Sequence, residues 1–199
     1  MFASYGRELT ELNRLGELLD RFLLDLYGEP IIGAKFKGFH EIEGTVPSTR
    51  YTDPDSPLDF IICIPKGVSY DDPQLCWMLA HEMTHGLWPI GYTATAREEK
   101  ATLLNEGLCE YSAMKFVMSR FPGYPEKYIQ ERSIKNSPYN VALLVVLKLL
   151  EKNPEIIKDV RKIQPHVNKL TIEDFEEAGY TNLDRRVMEQ LLSPMPQQF

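Results

Sequence analysis

The stretch "AHEMTHGLW", Ala80 to Trp88, holds two of the chain's four histidines, His81 and His85, with Glu82 directly after the first. On a helix, residues four apart lie one above the other, so both imidazoles can turn a ring nitrogen toward one ion. Glu82 is rotated by about 100° from His81. Its carboxylate therefore falls beside that ion and not on it, where a base acting on a metal-held water belongs. The flanks support a helix: Asp72 is an N-cap followed by Pro73 at the first helical position, and Gly86 and Pro89 stop the helix near Leu87.

Five letters do not decide the matter, and the deciding residues lie downstream. Zinc in a hydrolytic site takes three protein ligands and keeps a fourth position for water. A second helix is expected to start at Thr95, whose hydroxyl and Glu98 form a capping-box pattern, and to run to about Arg120 before "FPGYP". It carries "NEGLCEY", Asn105 to Tyr111, with Glu106 placed 21 positions after His85 and Glu110 one turn further along the same face. The link between the helices, Trp88 to Ala94, is short enough to make them neighbours.

With both halves in this order and spacing, the region His81 to Glu110 resembles the gluzincins, the thermolysin-like metallopeptidases whose pattern is HExxH followed about twenty residues later by NExxx(D/E). The resemblance implies one zinc ion per chain on His81, His85 and Glu106, with Glu82 as the general base. It implies that Glu110, beside Asn105 in the same motif, accepts the proton of the other ring nitrogen of His81. Zinc would lower the pKa of bound water from about 15.7 toward 7, and Glu82 would carry the proton from that water to the leaving amine. Members of this family add a tyrosine or histidine for the oxyanion; Tyr92 and Tyr139 are the preferred positions, with His166 a third. They also bind substrate backbone along an edge strand, for which "TVPSTRYT" is the best segment. The GxMEN element of related aminopeptidases is absent from this region, which favours an endopeptidase or a narrow substrate range.

Upstream, Leu9, Leu12, Leu15, Leu18, Leu19, Phe22, Leu23 and Leu26 recur as one face of an amphipathic helix from about Arg7 to Tyr27. "AKFKGFHEIEG", "TVPSTRYT" and "LDFIICIP" then read as three or four strands. "DFIICIP" is apolar enough for an inner strand, and Pro47 marks its neighbourhood as an edge. Beyond Arg120, helices are expected over about Asn140 to Lys152, Pro154 to Ile163, Thr171 to Ala178 and Leu183 to Leu192.

A chain of 199 residues suits one domain, and its acidic balance of −7 gives a nucleic-acid backbone nothing to neutralise against. The longest apolar run, "VALLVVL" from Val141 to Leu147, is core-helix length and far short of a membrane span. No secretory pattern opens the sequence, and Cys63, Cys76 and Cys109 form no CxxC pair, which together predict a cytoplasmic protein. The three cysteines read as small buried apolar residues, and His40 and His166 as lone surface or capping histidines.

These observations predict an α+β fold: a small mixed sheet under a leading helix, the HExxH helix and the glutamate helix within residues 1–120, then a helical C-terminal subdomain, 121–199, of the same domain. The expected function is a zinc metallopeptidase acting on a peptide or protein, with no nucleic-acid or membrane partner. Two alternatives stand beside it: a regulatory protease with a single substrate, resembling the HExxH anti-repressors, and an inactive zinc-stabilised module that grips a peptide at the edge strand.

Overall fold

The computed structural model describes residues 3–51, 53–69, 71–91, 101–134 and 137–195. Among them the fold is mixed α+β, with one small sheet and eight α-helices. Helix α1, Ala3–Tyr27, buries Leu12, Leu15, Leu19, Leu23 and Tyr27, a spacing of three and four that keeps one stripe facing inward. Leu18, expected on that stripe, is 46% exposed because it stands one position off the row.

Three strands follow: β1, Lys35–Ile42; β2, Ser48–Tyr51; and β3, Asp59–Pro65. The order is β1-β3-β2, with β3 parallel to β1 and antiparallel to β2. The most apolar segment is thus the inner strand, burying Phe60, Ile62, Cys63 and Ile64. The segment after Pro47 is an edge, as its proline requires, since a missing N–H is harmless only where no neighbour needs it.

Helix α2, Pro73–His85, begins as the sequence predicts: the Asp72 side chain accepts the Gln74 N–H at 2.8 Å and Pro73 occupies the first turn. Helix α3 is Leu103–Arg120. The predicted start at Thr95 lies outside the described residues, yet a helix continuous from there is ruled out by the chain at Ala101 and Thr102. Thr102 is extended and bridges Pro194, while Leu103 N–H donates to Ser193 O at 2.9 Å and Met195 N–H to Ala101 O at 2.8 Å. The working cap is Thr102, whose hydroxyl accepts the Asn105 N–H at 3.2 Å.

Beyond α3 lie α4, Tyr124–Ile134; α5, Pro138–Lys152; α6, Ile156–Val160; α7, Ile172–Glu177; and α8, Arg185–Leu191. Helix α4 was not expected from "FPGYP", which reads as a stop; Pro125 instead falls in the first turn, where it costs no hydrogen bond. Helix α6 is shorter than its predicted span, and α7 carries a full capping box between Thr171 and Asp174. One contiguous buried apolar cluster runs from Leu12 of α1 through β3, α2, α3 and α5 to Leu191 of α8. No helix among the described residues is long and apolar enough to cross a membrane.

Candidate metal centre

Each motif-bearing helix makes one close approach that depends on a glycine. At the end of α2, a Cβ on Gly86 would run into the Phe60 ring, with Cε2 only 2.6 Å away, so glycine is what lets this turn lie on β3. In α3, a Cβ on Gly107 would meet Val146 Cγ2 at 2.5 Å and Ala142 O at 2.6 Å, so glycine lets α5 press against the helix next to Glu106. The helix bearing His81 and His85 then packs directly along the helix bearing Glu106 and Glu110.

At the contact, three side chains converge. His81 Nε2 and His85 Nε2 lie 3.2 Å apart, Glu106 Oε2 lies 3.2 Å from His81 Nε2, and Glu106 Oε1 lies 3.8 Å from His85 Nε2. A tetrahedral ion with bonds of about 2.0–2.1 Å spaces its ligand atoms about 3.3 Å apart; the two contacts of His81 Nε2, at 3.2 Å, are close to that edge, and the contact of the other Glu106 oxygen with His85, at 3.8 Å, is longer. Glu106 Oε2 is buried and receives no hydrogen bond of good geometry, its 3.2 Å contact being an ion pair with the His81 ring. A buried carboxylate oxygen in that condition is costly unless a cation satisfies it.

The electrostatics point the same way. Burial works against a charge on His81, but its contacts with Glu106 and Glu110 outweigh it and hold the imidazole's pKa up at about 10. Burial likewise pushes Glu106 up, and the charges of His85 and His81 more than reverse this, leaving it below the ordinary carboxylate value. Two inward-facing carboxylates thus ask for positive charge between them, which a proton on His81 supplies in the metal-free chain.

The surroundings fix the orientation of the His81 ring. His81 Nδ1 lies 3.0 Å from Glu110 Oε1, and Trp77 Nε1–H donates to Glu110 Oε2 at 3.1 Å. Both oxygens of that buried carboxylate are thereby engaged, and with Nδ1–H assigned to Glu110 the Nε2 atom faces His85 and Glu106. Asn105, fully buried, accepts Trp88 Nε1–H at 3.1 Å and donates to Asn168 Oδ1 at 2.7 Å. It props α3 and also lines the cavity that Glu82, His85 and Glu106 border. Trp88 packs in turn between Tyr27 and the guanidinium of Arg161, which lies 5.0 Å from its ring.

Cys109, read from the sequence as an apolar filler, belongs to this cluster: His81, His85 and Cys109 are mutually close enough to hold a metal ion. Its Sγ lies 3.4 Å from His85 Nδ1 and 3.5 Å from Asn105 Oδ1. Burial, followed by the charges of Glu106, Glu82 and Glu110, pushes its pKa well above the usual thiol value, so it is held as the neutral thiol. The available signal was its position three residues after Glu106 on the same helix, which puts both on one face.

Glu82 is held by the edge strand and makes no hydrogen bond to His81, His85 or Glu106 among the described residues. Thr49 N–H of β2 donates to its Oε2 at 2.7 Å, and Thr49 Oγ1 lies 2.7 Å from the same oxygen. Glu82 also borders two cavities. One, of about 260 Å³, is lined by Ser48, Thr49, Tyr51, His85, Trp88 and Glu106. The other, of about 220 Å³, is lined by Trp77, Met78, His81, Tyr128 and Tyr139. The Tyr139 ring centroid is 6.0 Å from that of His81, so this tyrosine is at the cluster, whereas Tyr92 lies outside the described residues. His166 lines a separate cavity with Arg161 and Tyr27, and His40 is exposed on β1, the edge opposite β2; neither joins the cluster.

No family model matches the chain, and no curated protein or solved structure matches it either.

Proposed function

We propose that this chain is a zinc-dependent metallopeptidase of the gluzincin type. The observation that carries the reading is the convergence of His81 Nε2, His85 Nε2 and the buried carboxylate of Glu106 at separations of 3.2 to 3.8 Å, with Glu82 next to them under an edge strand. In this reading His81, His85 and Glu106 hold the zinc. Bound there, zinc polarises a peptide carbonyl and makes water acidic enough to yield a nucleophile near neutral pH.

The chain's own residues do the rest. Glu82 takes the proton of the attacking water on a carboxylate oxygen and passes it to the leaving amine nitrogen. Glu110 keeps the His81 ring in the tautomer that offers Nε2. Tyr139, at the His81 side of the cleft, donates its phenolic hydrogen to the developing oxyanion. A peptide lying along β2 would extend into the two cavities that Glu82 borders, one lined by Trp77, Tyr128 and Tyr139 and one by Thr49, Tyr51 and Trp88.

Cys109 favours a second reading, because a site closed by a fourth protein ligand is structural and not catalytic. Against it, Cys109 faces Nδ1 of His85, while the atoms that converge with His81 and Glu106 are the Nε2 atoms. The test is direct. The purified chain is expected to hold about one zinc, to cleave peptides in a chelator-sensitive way, and in Glu82→Gln to keep the metal while losing at least about 100-fold in kcat. Zinc well below one equivalent after supplementation would sink the reading, and undiminished cleavage by Glu82→Gln would remove Glu82 from it.

A further inference from the structure

Thr49 belongs to the edge strand, and its N–H points away from β3 toward α2. The outward N–H groups of an edge strand are ordinarily open to another strand. This one is engaged by Glu82 Oε2 at 2.7 Å, with Thr49 Oγ1 also 2.7 Å from that oxygen and 3.1 Å from the Glu82 backbone carbonyl oxygen. Among the described residues no hydrogen bond falls on Glu82 Oε1.

Resting on the peptidase reading, we propose that Thr49 is the positioning residue for Glu82, gripping Oε2 at two points so that Oε1 is the oxygen presented for proton transfer. A glutamate on a helix has three rotatable side-chain bonds, and this one borders the same cavity as His85 and Glu106. Left loose, it can sample orientations useless for proton transfer or collapse onto the open face of the cluster. The strand removes that freedom before a substrate arrives, which is where orientation lowers a barrier. Because the grip uses a backbone N–H of the strand on which a peptide would lie, the base and the peptide are placed by the same element. A peptide pairing with β2 meets an edge whose Thr49 donor is already taken, so its main-chain partners are the neighbouring outward groups.

The test uses the full chain, loaded with zinc, on a pool of internally quenched peptides, alongside amide hydrogen exchange followed by NMR. Thr49→Val removes the hydroxyl with little change of shape and is expected to lower kcat about 10-fold while KM and zinc content stay within about twofold; Thr49→Ser is expected to restore kcat. Exchange at the Thr49 amide is expected to quicken at least about 10-fold in Glu82→Ala. Wild-type kcat in Thr49→Val, failure of Thr49→Ser to recover it, or an exchange rate indifferent to Glu82 would each overturn the proposal. If the zinc-loaded wild type cleaves nothing while Thr49 exchange still depends on Glu82, the peptidase reading fails, and with it the grip's role in proton transfer, although the contact itself stands.

Discussion

Glu110 is bound from two sides, by His81 through Oε1 at 3.0 Å and by Trp77 through Oε2 at 3.1 Å. Neither oxygen can turn without breaking a buried hydrogen bond, so the carboxylate acts as a fixed stop against which the His81 ring is set. Partners of this kind raise the basicity of the ligand nitrogen, and their loss typically costs 10–100-fold in metal affinity. Glu110→Gln keeps the shape and removes the charge. It is expected to weaken zinc binding about 10- to 100-fold in competition with a chelating dye, and Trp77→Phe, which removes one donor to the carboxylate, less than that. Equal affinities for Glu110→Gln and wild type would show that the carboxylate packs without tuning the metal.

The raised pKa of His81 has a consequence for metal uptake. In the metal-free chain the ring keeps its second proton up to about pH 10, and a metal must displace it from Nε2. Below that pKa, each unit rise in pH therefore strengthens binding by about tenfold on account of His81 alone, and above it this contribution flattens. Calorimetry at pH 8 in two buffers of different ionisation enthalpy is expected to register about one proton released per zinc from this residue. A metal affinity that does not change between pH 7 and pH 9 would contradict a protonated His81 in the metal-free chain.

How far the sequence reached depends on where the information for each feature resides. The placement of His81, Glu82 and His85 on α2 was legible because helix periodicity and the Asp72–Pro73 start are local. The inner position of "DFIICIP" was legible because burial on both faces leaves an unbroken apolar run. The start of α3 at Leu103 was not, because Thr102 is set as the cap by pairing with Pro194, almost a hundred positions away. Helix α4 was hidden by a proline whose tolerance depends on its exact place in the first turn. Thr49 carried no mark of its own: its role follows from β2 passing over α2, a tertiary fact. Cys109 shared a helix face with Glu106, but the same spacing suits any core cysteine, and only the approach of His85 distinguishes it.

The two ways of completing the metal set separate spectroscopically. With His81, His85 and Glu106 as ligands, cobalt in place of zinc has only nitrogen and oxygen donors, and no intense thiolate-to-metal charge-transfer band is expected in the near ultraviolet. Cys109→Ala is then expected to bind zinc within about threefold of wild type, the change reflecting only the lost contact to His85 Nδ1. A strong thiolate band that disappears in Cys109→Ala would move Cys109 into the ligand set and favour the closed, non-catalytic site.

Gly107 links the centre to the C-terminal helices. The Cβ of Gly107→Ala would stand 2.5 Å from Val146 Cγ2 and 2.6 Å from Ala142 O, and the second of these is backbone that cannot rotate aside. Either α5 shifts as a body or α3 moves toward α2, and Glu106 sits immediately before the substituted position. Overpacking at such a contact costs about 1–3 kcal/mol and outweighs the better helix propensity of alanine, which returns about 1 kcal/mol. Gly107→Ala is therefore expected to lower the stability of the metal-free chain by up to about 2 kcal/mol in urea unfolding and to weaken zinc binding as well, since any shift of α3 changes the Glu106-to-histidine distances. Adding Val146→Ala relieves the side-chain clash but leaves the carbonyl one, so the double variant should recover part of the loss and no more. An unaltered or raised stability in Gly107→Ala would mean that α3 and α5 are not pressed together at this point, and that Glu106 is positioned by α2 and its own helix alone.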